Sequence, residues 1–252
     1  MQLNFGAGNA IGKRTDIANA KPSFLGVLQD LEIDIAQTLK ELTGAYKMPV
    51  DVAPSNLKVT GKAKFARIQG ASINNLLLGQ TETDGAGIDM AIAESFSVPG
   101  SPSYVYQVTN HATFIEDLGV FYANGGAQLQ PLSVLVGNTP GQYTINSATG
   151  TYTFASGDAG AALVCYYSYL VSTLVQISLA NQLMGTGPVF ELQAKQSYAV
   201  QGTTKELVLK LNACRASKWS LPFKNTDYTI QDFEFTAFCD SQNNWGTWSF
   251  SE

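Results

Sequence analysis

GQYTINSATGTYTFASGDAGAALVCYYSYLV, Gly141–Val171, is the stretch whose reading decides the fold. Tyr143 and Ile145 lie on one side of a short strand, Ser147–Gly150 supply a turn, and Tyr152 and Phe154 return with the same spacing. Gly157–Gly160 then turn the chain into a long aromatic-rich strand, Leu163–Leu170. Period-two placement of aromatic and β-branched residues, punctuated by Gly, Asn and Ser, is the signature of antiparallel hairpins.

The same grammar extends in both directions. Short strands are expected at Ser95–Val98, Tyr104–Val108, Phe114–Tyr122 and Leu132–Val136, and again at Leu174–Leu179, Val189–Ala194, Glu206–Leu211, Thr229–Phe238 and near Trp248–Phe250. Toward the N-terminus, Leu31, Ile33 and Ile35 alternate with Asp30, Glu32 and Asp34, as in a half-buried strand. A second extended stretch, Tyr46–Val52, is expected to end at Pro54. In Leu57–Ile68, Leu57, Val59, Ala63 and Phe65 share one face, and Lys58, Thr60, Lys62 and Lys64 the other. Pairing this strand with the acidic one would set opposite charges across the ladder and help fix its register.

Ser72 and Gly79 frame the one helical candidate, Ile73–Leu78, as N-cap and terminator. Residues 80–91 read as a polar loop. Many short strands with one brief helix predict an all-β, mainly antiparallel fold, a β-sandwich or barrel-like domain over 24–252. Residues 1–23, rich in Gly, Ala and Asn, read as an extended arm, and residues 99–140 are a candidate outward insertion.

Charged residues make up only 14% of the chain, against the usual quarter or so, while 45% are hydrophobic. So little charge suggests a surface largely covered by other subunits. The formal net charge of −5 argues against a protein that grips nucleic acid. The charges are also segregated. No Lys or Arg lies between Arg67 and Lys195, a stretch that holds Glu82, Asp84, Asp89, Glu94, Glu116, Asp117, Asp158 and Glu191. Such asymmetry suits complementary subunit contacts, or equally an acidic insertion that solvates itself.

Cys165, Cys214 and Cys239, odd in number and without a CxxC pair, read as buried, reduced thiols. The polar start of the chain and its short apolar runs predict no signal peptide and no membrane helix, hence synthesis in a cytoplasm.

Catalytic, metal and cofactor signatures are missing. The single histidine, His111, has no GxSxG elbow and no second His for a zinc motif. Gly6–Lys13, GAGNAIGK, imitates a phosphate loop, yet Arg14 follows the lysine where Ser or Thr is needed. The carboxylates Asp30, Glu32, Asp34, Asp232 and Glu234 alternate with apolar residues, as on a solvated strand face.

The order of these segments is similar to that of the tail tube subunits of long-tailed phages. The stretches that carry the resemblance are VLQDLEIDI, KELTGAYKMPVDVA, NLKVTGKAKFARI leading into SINNLLLG, the Gly141–Val171 run and NQLMGTGPVFELQ, spread over residues 24–195. It implies a β-sandwich or barrel-like subunit, shared with type VI secretion and bacteriocin tubes, that closes hexameric rings stacked into a tube for DNA passage. It further implies one sheet lining the channel, hairpins and N-terminal arms bridging subunits, no cofactor, and residence in the virion tail. The implied partners are further copies of the chain, with sheath, tape-measure, baseplate and tail-terminator proteins.

On that resemblance Asp30, Glu32 and Asp34, with Asp232 and Glu234, are expected to face the lumen, where carboxylates repel phosphates. Lys58, Lys62 and Lys64 are expected either to pair with carboxylates of a neighbouring strand or to make inter-subunit charge contacts. The arm 1–23 and the loop 80–91 are expected to contact the next ring. Another ring-forming tail or head–tail joining protein is a related alternative. A carbohydrate-binding or adhesion β-sandwich, using Tyr104, Tyr106, Trp219, Trp245 and Trp248 as stacking surfaces, is the alternative of a different class.

Overall fold

A computed structural model describes residues 8–66, 70–200, 203–223, 225–226 and 228–251. The chain is mainly antiparallel β and divides into two compact units: unit 1, residues 1–80 with 179–252, and unit 2, residues 81–178. The second unit therefore begins earlier and ends later than the 99–140 insertion expected within one domain over 24–252.

Unit 1 begins with β1 (Asn9–Arg14), β2 (Ser23–Leu25), β3 (Leu28–Thr43) and β4 (Pro49–Phe65), then α1 (Gly70–Ile73) and a π-type turn at Asn74–Leu78. Unit 2 holds β5 (Glu82–Asp84), β6 (Gly87–Ser97), β7 (Val105–Gln107), β8 (Phe114–Tyr122), β9 (Gln130–Pro131), β10 (Gln142–Asn146), β11 (Thr151–Phe154), β12 (Ala162–Val171) and β13 (Val175–Ile177). The chain then re-enters unit 1 through β14 (Phe190–Val200), β15 (Thr203–Ser220), β16 (Gln231–Phe238) and β17 (Gly246–Phe250).

The unit 1 sheet runs β2-β1-β14-β15-β16-β4-β3, with β17 also on β15. It is open, ending in β2 on one side and β3 on the other. One face is apolar: Ala10, Leu25, Val59, Ala63, Phe65, Phe190, Leu192, Leu211, Phe233 and Phe235 are buried there, joined by Leu76 of the π-type turn. Two glycines make that packing fit. A Cβ on Gly61 would meet the Phe235 ring at 2.1 Å, and one on Gly12 the Leu76 side chain at 2.7 Å. The helical segment ends at Gly79, as expected, in a left-handed conformation (φ 63°) that glycine adopts without penalty. It starts earlier than expected, so that Ser72 lies inside it, buried, rather than capping it.

Several further expectations are corrected. The supposed N-terminal arm, 1–23, contributes β1 and the first residue of β2, Ser23, and Ala10 is a core residue, so the part from Asn9 onward belongs to the domain; residues 1–7 lie outside the described residues. Residues 80–91 include β5 and the start of β6 instead of forming one loop. Leu132–Val136 forms no strand; the nearby ladder is β9, just before it. Pro54 does not end a strand. It lies within β4 opposite Leu39, where the β3–β4 register slips and β16 no longer pairs, so its missing N–H costs no ladder bond on that side.

Unit 2 contains a four-stranded sheet β7-β11-β10-β9, a three-stranded sheet β6-β12-β8 and a β5–β13 pair. Val98, Val108, Val120, Leu129, Tyr143, Tyr152, Phe154, Leu163, Cys165 and Tyr167 form its core. The hairpin over Gln142–Phe154 and the long strand after it match the sequence reading closely.

Candidate assembly surfaces

Alternation dictates what the second face of the unit 1 sheet carries. In β16, Gln231, Phe233, Phe235 and Ala237 are buried, and Asp232, Glu234 and Thr236 point the other way. β4 sits between β16 and β3, and the register aligns their charges in rows. Glu32 stands opposite Lys62, which stands opposite Glu234, which stands opposite Lys218 of β15. One step along, Asp30 faces Lys64, Lys64 faces Asp232, and Asp232 faces Ser220. Glu234 Oε1 lies 3.4 Å from Lys218 Nζ and 3.9 Å from Lys62 Nζ.

The five carboxylates singled out from sequence therefore share one sheet face. That face is not purely acidic. Lys58, Lys62, Lys64 and Lys218 project from it, and Arg215, opposite Thr236, donates to the Gly185 carbonyl at 3.1 Å. Over residues 30–34, 58–64, 232–236 and 215–218, five cations stand against five carboxylates, so this part of the face is formally neutral. Lys62 and Lys64 find carboxylates on both neighbouring strands of their own chain; Lys58 stands opposite Ala36. A shallow hollow of about 470 Å³ on this face is lined by Glu32, Asp34, Lys58, Lys62 and Glu234.

Beyond this face, β3 and β4 continue as a two-stranded ribbon. From Asp34 to Lys58 every residue except Pro49 and Ser55 is exposed, on both sides of the ribbon. Ten residues of strand, Asp34–Thr43, span roughly 30 Å at about 3.3 Å each. Leu39, Leu42, Tyr46, Met48, Val50 and Val52 are uncovered, with Tyr46 at 85% and Met48 at 77%. An isolated two-stranded ribbon is marginally stable in water, and its apolar side chains lie uncovered on both faces.

Unit 2 treats its carboxylates differently. It holds seven Asp and Glu and no Lys or Arg, a formal −7, which leaves thirteen carboxylates and fifteen Lys and Arg, a formal +2, for unit 1. Three of the seven are hubs for neutral donors. Glu94 accepts from the Tyr106 hydroxyl at 2.6 Å, the Tyr167 hydroxyl at 2.5 Å and the Thr109 N–H at 2.9 Å. Asp117 accepts from Tyr143 at 2.5 Å and Tyr152 at 2.8 Å, and Asp158 from Tyr122 at 2.6 Å and the Gly141 N–H.

Burial alone would raise the Glu94 pKa, but the hydrogen bonds from Tyr106, Tyr167 and Thr109 outweigh it and hold the carboxyl below its ordinary value. Burial and then the carboxylate partner push the phenols up, Tyr122 and Tyr167 to about 12, with Tyr106, Tyr143 and Tyr152 shifted in the same direction. None of these hubs was singled out as a site from sequence. The available signal was the coincidence of many tyrosines with a segment lacking any cation.

The other sequence candidates disperse. Trp219 is partly buried, packs on the unit 1 core against Phe65 and Phe233 and donates to the Gln231 side chain at 2.9 Å; Trp245 packs on the same core. Tyr106 stacks on Phe96, Tyr104 packs on the unit 2 core, and Trp248 is half exposed on β17. Partly buried apart from Trp248 and divided between two units, these five do not form one stacking platform within either unit. His111 occupies a short 3₁₀ turn, its Nδ1 3.2 Å from the Val108 carbonyl.

Gly8–Lys13, the described part of the glycine-rich motif, is β1 apart from Gly8, so it cradles nothing as a loop. Cys165 and Cys214 are buried as expected, and burial pushes both thiols up to about 12; Cys239 is exposed, contrary to expectation. Among the described residues no group of three or more His, Cys, Asp or Glu is placed to hold a metal, and no helix is long and apolar enough to cross a membrane. No protein-family model matches the chain, and no curated protein matches it significantly.

Proposed function

We propose that this chain is a structural subunit that assembles with copies of itself into stacked rings forming a phage-type tail tube, a conduit for DNA with no catalytic step. The uncovered β3–β4 ribbon carries this reading. A ribbon of this length, apolar on both faces, would be an aggregation hazard on a free monomer and becomes useful only when neighbouring subunits cover it. The open edges at β2 and β3 add two places where a second chain extends the sheet.

In this reading unit 1 is the sandwich or barrel-like tube domain, and its charged face with Asp30, Glu32, Asp34, Asp232 and Glu234 is turned to the lumen. The lining then works by neutralisation in place. Lys62 and Lys64, which would otherwise collect phosphates by counterion release, sit between carboxylates of their own sheet. Passing DNA meets a hydrated, formally neutral mosaic. The subunit is made in a bacterial cytoplasm and resides in the virion tail, where tape-measure, baseplate, terminator and any sheath proteins are its further partners.

Negative-stain electron microscopy of the purified chain beside a variant whose ribbon is shortened to a tight turn after Gln37 tests the reading. Rings or tubes are expected from the full chain. The shortened chain should keep its β-sheet circular dichroism and stay monomeric. Equal assembly by both chains, or a full chain that stays monomeric at every concentration, would sink the reading.

A further inference from the structure

Unit 2 carries a second uncovered apolar surface. β6, β12 and β8 bury one face in the unit 2 core and leave the other open. Ile88, Met90 and Ile92 follow one another at alternate positions of β6, with Ile92 73% exposed. Leu170 stands beside Ile88 across the ladder. Phe121 and Tyr166, edge to face at 5.6 Å, border with Leu118 a hollow of about 310 Å³. The register places Glu116 on this face, opposite Ser168.

Charge decides what such a face can receive. Two copies of unit 2 meeting face to face would bring together two bodies of formal charge −7, neither with a Lys or Arg to offset it. A symmetric contact is therefore opposed, and a heterologous one with the cation-bearing part of another copy is favoured. The ribbon end, residues 39–54 by register, meets both needs: its apolar side chains are exposed, and Lys40 and Lys47, balanced by Glu41 and Asp51, spare it the net negative charge that opposes a second copy of unit 2.

We infer that the open face of the β6-β12-β8 sheet receives the β3–β4 ribbon end of a second copy, Met48 and its neighbours covering Met90, Ile92 and the Phe121–Tyr166 hollow. This rests on the assembly reading above and adds to it the partner surface for the ribbon.

Two chains with one exposed cysteine each test it, Met48→Cys and Met90→Cys, each with Cys239→Ser so that the exposed native thiol is removed and only the buried Cys165 and Cys214 remain beside the new one. One chain is tagged, the two are mixed and gently oxidised, and assembly is followed by electron microscopy. The inference expects cross-linking at least about tenfold above a Met48→Cys and Val134→Cys mixture, because a formed contact raises the local thiol concentration far above that in solution. Val134 is an exposed unit 2 residue on no strand, so it reports random encounter. Rings or tubes with no excess cross-link would overturn this inference and leave the assembly reading standing. Absence of both assembly and cross-link overturns the two together.

Discussion

The two units solve the same problem with different chemistry. Each has carboxylates on its strands, yet unit 1 sets them opposite lysines at a partly exposed surface, while unit 2 satisfies them with tyrosine hydroxyls and backbone N–H groups at the margin of its core. Exposed ion pairs are worth little, about 0–1 kcal/mol, and fade with salt. Hydrogen bonds to an ionised acceptor from buried neutral donors are worth more, about 1.5–3 kcal/mol each, and are insensitive to screening. Unit 1 spends its charges on register and surface; unit 2 spends its charges on cohesion.

Alkali should separate them most sharply. The phenols Tyr106, Tyr122, Tyr143, Tyr152 and Tyr167 have folded pKa values raised by burial and by their carboxylates. A raised folded pKa contributes stability that is fully present below the unfolded tyrosine value near 10 and is lost as pH rises toward the folded one. Unit 2 is therefore expected to unfold cooperatively between about pH 10 and 12, with phenolate absorbance rising in the same step. Gradual ionisation of these tyrosines in a unit 2 that stays folded would break the contrast.

Asp117→Ala should have the next largest effect. It leaves the hydroxyls of Tyr143 and Tyr152, both completely buried residues, without their acceptor. A loss of roughly 3 kcal/mol is expected in unit 2. It should be read from denaturant unfolding of unit 2, and the triple variant with Tyr143→Phe and Tyr152→Phe should recover part of it. If Asp117→Ala costs no more than a surface substitution, the hubs hold nothing together.

How much of this was legible follows from where period two survives. Gly141–Val171 was readable because its turns fall at Gly and Ser while Tyr143, Ile145, Tyr152 and Phe154 alternate strictly and the strand after them is rich in aromatics. The charged rows of β3, β4 and β16 were readable for the same reason, and the expected pairing of the acidic and basic strands is found. β15 was read only to Leu211 because its alternation slips where Asn212 and Ala213 oppose Glu191, and again between Ala216 and Lys218. The ribbon was hidden because apolar residues such as Leu39 and Val52 look the same in a sequence whether a core or a neighbouring chain covers them. The hubs were hidden because Glu94 pairs with Tyr167 and Asp117 with Tyr152 across long separations that no local pattern encodes.

The smallest expected effect probes the other side of the comparison. Glu234→Gln removes the carboxylate shared by Lys62 and Lys218 while keeping the shape of the side chain. Unit 1 should lose less than about 1 kcal/mol, and the loss should vanish in high salt because both lysines are substantially exposed. The consequence for DNA should be larger than the consequence for folding. Lys62 keeps Glu32 across the ladder, whereas Lys218 loses its partner, so one uncompensated cation per subunit becomes available to phosphates. If the chain assembles into the proposed tubes, variant tubes should therefore retain DNA at low salt and release it as salt rises, and tubes of the parent chain should not. A variant with unit 1 stability strongly reduced at every salt concentration would mean that this surface, like unit 2, depends on its carboxylates for cohesion, and the division of labour between the units would fail.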